Sequence, residues 1–391
     1  MGDEPLRMEV SKVNIAGGKE VHGAKLTVYP VDEKGDISDT PLILHQPAIE
    51  GGYQDIEASW ISGLDGRYTQ EDQAGGRIPE GFKPGDLRPH IIAYIPEGDY
   101  ILREETTPYG FLQSVDIPFT VADTGIIQKT GMTDEIPDGI LKIVKSDTDR
   151  PEEKLQGVEF QLTNQTTGRL CETVVTDTRG QALFQPQPIG YMDREGDFQP
   201  YTYVCRETKA AAGHMLNLKP YEFQFGYRDE ETPLIELEYQ PTNDSNRVVT
   251  DKLLGDTEEM LEGAVLRIER RKDGTPGDWE IIDQWITGRQ GHSTRDLQAG
   301  HYRLIEIEGP EGFKILAEPM EFTITDGMEE VLHLKMRNYS TMADICKIKD
   351  GTNTLLAGAR LRLIRKDSGE IIQEWTSEES GAVSYTHLRA H

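Results

Sequence analysis

The chain has 391 residues, 69 acidic against 41 basic, and a formal net charge of −28 at pH 7. That balance excludes a binder of phosphate backbones, which needs clustered Lys and Arg, so no nucleic-acid partner is expected. No stretch approaches the roughly 18 apolar residues of a membrane span, and three cysteines without a CxxC spacing exclude a disulfide framework.

With 36% hydrophobic residues and a mean hydropathy of −0.56, several small cores fit better than one large one. The first run, Leu6, Met8, Val10 and Lys12, alternates onto one face of a strand. A lysine therefore closes a half-buried strand on its inward side. Eleven residues later comes Gly23-Ala-Lys-Leu-Thr-Val, the start of a second strand. The same pair recurs as Lys252 with Gly263-Ala-Val-Leu-Arg-Ile and as Lys347 with Gly358-Ala-Arg-Leu-Arg-Leu. A further copy, Lys145 with Gly157-Val-Glu-Phe, has a spacing of twelve. Repeats at this scale make the fold an array of similar units.

Trp60, Trp285 and Trp375 share the next position and read as core aromatics. Trp60 lies 44 residues before Glu104, whereas Trp285 lies 21 before Glu306, so the first repeat carries an insertion over 64–89. The second repeat has its own long loop over 186–200. Long loops on β scaffolds either carry binding or are solvated drift, and both readings stand.

The most regular stretch follows. Gly98-Asp-Tyr-Ile-Leu-Arg-Glu104 runs on to Pro108, Gly110 and Phe111, and Gly300-His-Tyr-Arg-Leu-Ile-Glu306 runs on to Pro310, Gly312 and Phe313 at identical spacing. The second repeat has Tyr203-Val-Cys-Arg-Glu207 and Gly213, with Ala211 in place of Pro. Tyr, Leu and Glu two apart share a strand face. A glutamate is thus turned inward in each, where it must be protonated or paired. Cys205 takes the inward Leu position and reads as a buried thiol, with a Cys171–Cys205 disulfide as the alternative. Each repeat closes on a strand whose inward residue is Asp134, Asn243 or Asn338.

Short strands with Gly and Pro turns and no long helix give an all-β class: tandem Greek-key, Ig-like or prealbumin-like β-sandwiches, as beads on a string. The units are placed at 4–136, 137–244, 246–339 and 341–381, the last stopping before its glutamate. Residues 383–391, Val-Ser-Tyr-Thr-His-Leu-Arg-Ala-His, look like a translated sequencing adapter and are set aside. The absence of a leader or anchor then says little, because either end can be missing.

The pattern Tyr-x-Leu-x-Glu-x-x-x-Pro-x-Gly-aromatic resembles the E-box of Gram-positive pilins, and the whole repeat resembles the Cna-B or SpaA-like prealbumin-type domain of bacterial surface proteins. The resemblance covers nearly all of 4–381. It implies an intramolecular isopeptide bond between the first-strand lysine and the last-strand Asn or Asp, assisted by the glutamate. The pairs are Lys12 with Asp134, Lys145 with Asn243 and Lys252 with Asn338; the glutamates are Glu104, Glu207 and Glu306. Burial would free the amine and keep a proton on the glutamate, which can polarise the amide carbonyl and pass protons to the leaving group. Each unit acts once on itself, so there is no enzymatic turnover, and no cofactor or metal is expected. A buried ion pair without a covalent bond is the simpler reading of the same residues.

The resemblance also implies an extracellular, cell-wall-associated stalk. The alternatives are an adhesin binding a host protein or glycan through 64–89, and an accessory β region of a secreted enzyme. Val28-Tyr29-Pro30 resembles a pilin-polymerisation motif, but Val31 stands where its lysine belongs. Asp147-Thr-Asp149 with Glu152 and Glu153 reads as a solvated acidic turn, with Ca²⁺ as the alternative.

Overall fold

The computed structural model describes residues 5–15, 18–272, 277–310, 312–316, 318–340, 342–379 and 383–386. They are almost entirely β-strand, arranged as tandem prealbumin-like sandwiches. The helix among them is a single turn, Gln70–Ala74. The chain divides into two compact units, one of 1–145, 154–208 and 219–241, the other of 146–153, 209–218 and 242–391.

In the first unit, the first repeat builds two sheets. A three-stranded sheet runs His90–Ala93, Arg7–Asn14, Gln128–Asp134; a four-stranded sheet runs Ser59–Ile61, Lys25–Val31, Gly98–Thr106, Ile117–Val121. Strict alternation turns Met8, Val10 and Lys12 inward from the first and Tyr100, Leu102 and Glu104 inward from the second. The first and last strands are parallel neighbours, with Asn14 opposite Asp134. A parallel pair cannot be joined by a tight turn, so everything between the two strands is the crossover. The second repeat repeats this plan with Asp138–Val144 parallel to Leu234–Tyr239, and with Arg169–Val175, Glu159–Asn164, Tyr203–Lys209 and Tyr221–Phe223 as the facing sheet.

The long loops of these two repeats meet. The 186–200 loop is a hairpin, Gly190–Met192 against Phe198–Pro200. Its Phe198 ring packs on Tyr109 at 5.8 Å and on Phe111 at 6.5 Å between centroids. Gly110 lies between those two aromatics at φ +94°, and a Cβ there would overlap the Phe198 ring. Tyr227 donates its hydroxyl to the Phe111 carbonyl at 2.9 Å. From the 64–89 insertion, Arg67 donates to the carbonyls of Arg194 at 2.9 Å and Glu195 at 3.2 Å. That insertion is ordered from within. Thr69 caps its helix in a capping box with Asp72, and Asp72 also pairs with Arg77 and Arg88. The Thr69 amide and hydroxyl, then the two arginines, hold the Asp72 carboxyl down at about 2. A second insertion went unread in the sequence: the hairpin Ile43–Pro47 with Tyr53–Glu57, inserted before Ser59–Ile61.

In the second unit, the third repeat has the same two sheets. One runs His292–Thr294, Val248–Leu254, Leu332–Asn338, and the other Trp279–Ile286, Val265–Arg271, Gly300–Glu308, Met320–Ile324. Leu254 lies opposite Asn338 in the parallel pair. The segments 146–153 and 209–218 are bound to this repeat. Gly213 N donates to Asp326 at 2.8 Å, Leu216 N to the Met328 carbonyl at 3.0 Å, and Arg150 pairs with Asp296 at 2.8 Å. The acidic turn expected to be solvated is so at Asp149, Glu152 and Glu153, which are exposed, but not at Asp147. Asp147 is buried, accepts from His214 Nε2 at 3.0 Å and pairs with Arg150, and no metal-holding cluster occurs among the described residues. Beyond 340, Met342–Ile345 pairs with Val383–Thr386 and Arg360–Ile364 with Ile371–Thr376; residues 387–391 lie outside the described set.

The tryptophans sit at the rim of the core rather than inside it. Trp60 and Trp285 are half-buried and stacked on His90 and His292, with centroids 4.2 and 4.1 Å apart. All three cysteines are free; Cys205 is buried, which pushes its thiol up to about 12.

Candidate functional site

In the first and third repeats the site is assembled from three strands. The first and last strands are parallel and in register, so their inward residues lie side by side. In every repeat, the residue two beyond the lysine is opposite the Asn or Asp: Asn14 with Asp134, Asp147 with Asn243, Leu254 with Asn338. The glutamate descends from the facing sheet. The turn after it explains the spacing that recurs within the chain. Phe111 N donates to the Pro108 carbonyl at 3.2 Å and Phe313 N to the Pro310 carbonyl at 3.1 Å. The glycine in each turn has φ of +94° or +87°, which a residue with a Cβ rarely adopts. This reversal brings the backbone N–H ten residues past the glutamate onto its carboxylate. Ser114 N reaches Glu104 Oε2 at 2.7 Å, and Leu316 N reaches Glu306 Oε2 at 2.8 Å.

In the third repeat the three side chains are buried: Lys252 at 0%, Glu306 at 7% and Asn338 at 1% exposure. Lys252 Nζ donates to Asn338 Oδ1 at 2.7 Å, and Asn338 Nδ2 donates to Glu306 Oε1 at 2.6 Å. The same Oε1 lies 3.1 Å from Lys252 Nζ. One carboxylate oxygen thus touches both the lysine nitrogen and the asparagine amide nitrogen. Burial pulls the Lys252 amine below the usual lysine range, against the opposing pull of Glu306.

In the first repeat Lys12 is equally buried, 3.0 Å from Glu104 Oε1 and in direct contact with Asp134 Oδ1. Burial raises both carboxyls above their ordinary values. Lys12 opposes the rise in each, and for Glu104 the Asp134 charge adds to it. Asp134 Oδ2 is buried without a hydrogen-bond partner. In the second repeat Lys145 Nζ is 3.5 Å from Glu207 Oε2, and both are buried, as is Asn243. Lys347 of the fourth repeat is exposed.

Two polar residues beside the first site escape a sequence reading. Ser114 touches both Lys12 and Asp134. Glu20 accepts from Lys12 N at 2.9 Å while buried at 4% exposure, and burial pushes its carboxyl up to about 7. Ser114 is findable only from the ten-residue spacing after the glutamate, because the equivalent residues are Asn217 and Leu316.

The sequence matches the family described as SpaA: Prealbumin-like fold domain over residues 139–240 and 246–339, half of the chain. The chain belongs to this SpaA family. Its SpaA-like fold is similar to that of several solved structures. One is the Bacillus anthracis TIE protein, at 17% identity and a TM-score of 0.45, over 86% of this chain and 52% of that one. Another is a streptococcal ancillary pilin, at 16% identity and a TM-score of 0.26, over 86% and 99%. A third is BcpA, the major pilin subunit of Bacillus cereus, at 11% identity and a TM-score of 0.31, over 86% and 100%. The chain thus spans about half the length of the first of these. No curated protein matches it. Among the described residues, no helix is long and apolar enough to cross a membrane.

Proposed function

We propose that this chain is a stalk segment of an extracellular, cell-wall-associated adhesin or pilin-like protein of a Gram-positive bacterium, with SpaA-like repeats sealed by self-formed Lys–Asn or Lys–Asp isopeptide bonds. The observation that carries the reading is the Lys252–Asn338–Glu306 triangle, three polar side chains in mutual contact in a dry core. Lys252 passes a proton to Glu306 Oε1, and the neutral amine attacks Asn338 Cγ. The Nζ–Cγ bond forms and the Cγ–Nδ2 bond breaks. Of the two protons Nζ gives up, one converts Nδ2 to ammonia; the other stays on Glu306 until the ammonia takes it up as ammonium. Water exclusion and fixed contact replace the activation that a free amine and amide lack in solution. Sequence order extends the same bond to Lys12 with Asp134, which releases water, and to Lys145 with Asn243.

The bond joins the strand where a repeat begins to the strand where it ends. Tension along the stalk would pass through the bridge and bypass the loops of 122, 98 and 86 residues that it closes. Intact mass under denaturing conditions tests the reading. Three bonds lower the mass by about 52 Da, about 17 Da for each asparagine and about 18 Da for Asp134. A mass equal to that of the unmodified chain refutes it.

A further inference from the structure

We propose that the Ser114 hydroxyl is the proton relay for the first repeat's cross-link, matched to an aspartate whose leaving atom is oxygen. The inference rests on the cross-linking reading above and adds a residue that the glutamate pattern does not contain.

Ser114 sits ten residues past Glu104 and is held twice. Its amide donates to Glu104 Oε2 at 2.7 Å, and its hydroxyl lies 2.7 Å from the Thr133 carbonyl. That anchor puts Oγ 3.0 Å from Lys12 Nζ, which donates to it, and 2.7 Å from Asp134 Oδ1, to which it can donate. A hydroxyl both accepts and donates, so Oγ links the attacking nitrogen to the oxygen that must depart. The third repeat has Leu316 at this position, with no side-chain proton to move, and there Glu306 Oε1 contacts both nitrogens. In the second repeat the equivalent Asn217 donates to the Thr242 carbonyl at 3.1 Å, the residue before Asn243, as Thr133 is before Asp134.

The step balances. The Lys12 ammonium gives one proton directly to Asp134 Oδ1, leaving an amine and a carboxylic acid. Nζ then bonds to Cγ. Its second departing proton passes to Ser114 Oγ as the serine proton moves to Oδ1. The Cγ–Oδ1 bond breaks and water leaves with both protons. Asp134 Oδ2, buried without a hydrogen-bond partner, becomes the amide carbonyl, and the serine is regenerated.

The test is made on the full chain, synthesised in a cell-free system, quenched in acid denaturant at timed intervals and digested for peptide mass. Ser114→Ala is expected to slow the Lys12–Asp134 bond by about 10²- to 10⁴-fold, the range of a general acid–base group, while the Lys252–Asn338 bond in the same molecules keeps its rate. Ser114→Thr keeps a hydroxyl and restores the rate. In an Asp134→Asn background, where nitrogen departs, adding Ser114→Ala changes the rate less than about twofold. A native rate in Ser114→Ala, or an equal slowing in both backgrounds, overturns the relay and leaves the cross-link intact. Absence of the Lys12–Asp134 bond from the unaltered chain overturns the cross-linking reading and the relay with it.

Discussion

Replacing Glu306 with glutamine is the sharpest probe of the third site. The change is nearly isosteric and keeps an oxygen for Leu316 N, which now donates to Glu306 Oε2 at 2.8 Å. What it removes is the proposed proton traffic between Lys252 Nζ and Asn338 Nδ2, both in contact with Oε1. Without the proposed bond, the unfolded chain would regain the freedom that an 86-residue closed loop denies it. By the chain-entropy relation for cross-links, that is worth about 4–5 kcal/mol. A repeat of this size unfolds with an entropy of about 0.2 kcal/mol/K, so the transition of the third repeat should fall by about 20 °C. Heat alone does not decide the matter, because stripping one partner from a buried ion pair also costs about 3–5 kcal/mol. Calorimetry must therefore be paired with denatured mass. The expected result is a lowered transition together with a net gain of about 16 Da relative to the unaltered chain, about 17 Da for the unmade bond less about 1 Da for the substitution itself. A Glu306→Gln chain that keeps the deficit refutes the proton relay. A lowered transition with only the substitution's own change of about 1 Da, and no deficit in either chain, identifies Lys252 and Glu306 as a plain ion pair.

Three other outcomes follow from the packing. Gly110→Ala drives a methyl into the Phe198 ring and forces a side chain onto φ +94°, so the contact between the first two repeats should lose about 1–3 kcal/mol; limited proteolysis should then cut the 193–197 turn faster, and unchanged cleavage would contradict the contact. Glu20 holds its proton more tightly when folded, so the stability it contributes is complete below its ordinary value of 4.5 and is lost as pH rises to about 7. The loss is about 3 kcal/mol, and Glu20→Gln should flatten the pH dependence of first-repeat unfolding by that amount, with parallel curves counting against it. Thiol reagents on the native chain should label exposed Cys346 and leave Cys205, buried with its thiol pushed up to about 12, unreacted until unfolding.

Much of this architecture could be read from spacing. Period-two alternation placed Lys12, Lys145 and Lys252 inward, and all three are fully buried. It worked because these strands have one dry face, where a one-residue slip would expose the entire set. The Pro-x-Gly-aromatic run was legible as a repeated motif, but its purpose was not. Only the folded chain reveals that the turn delivers the backbone N–H of Ser114 or Leu316 to the carboxylate, since a backbone donor leaves no trace in residue type. The hairpin of Ile43–Pro47 with Tyr53–Glu57 was hidden because its strands are short, mostly polar and largely exposed, so they carry no apolar alternation to read. The 186–200 and 64–89 loops were ambiguous for a different reason. Phe198 and Arg67 look alike in sequence whether they meet a ligand or a neighbouring loop, and here they meet Tyr109, Phe111 and the Arg194 and Glu195 carbonyls.

The pairing of first with last strand also fixes a timetable. Ribosomes add about 5–20 residues per second, so Lys12 emerges about 6–24 s before Asp134, its neighbour in the finished sheet. During that interval the strand lacks the ladder that Gln128–Asp134 will supply, and its lysine stays open to water. Any passage that demands a thread rather than a folded body has to be finished before the closing strand docks. Once the proposed bond had formed, the repeat could no longer be drawn out to its contour length.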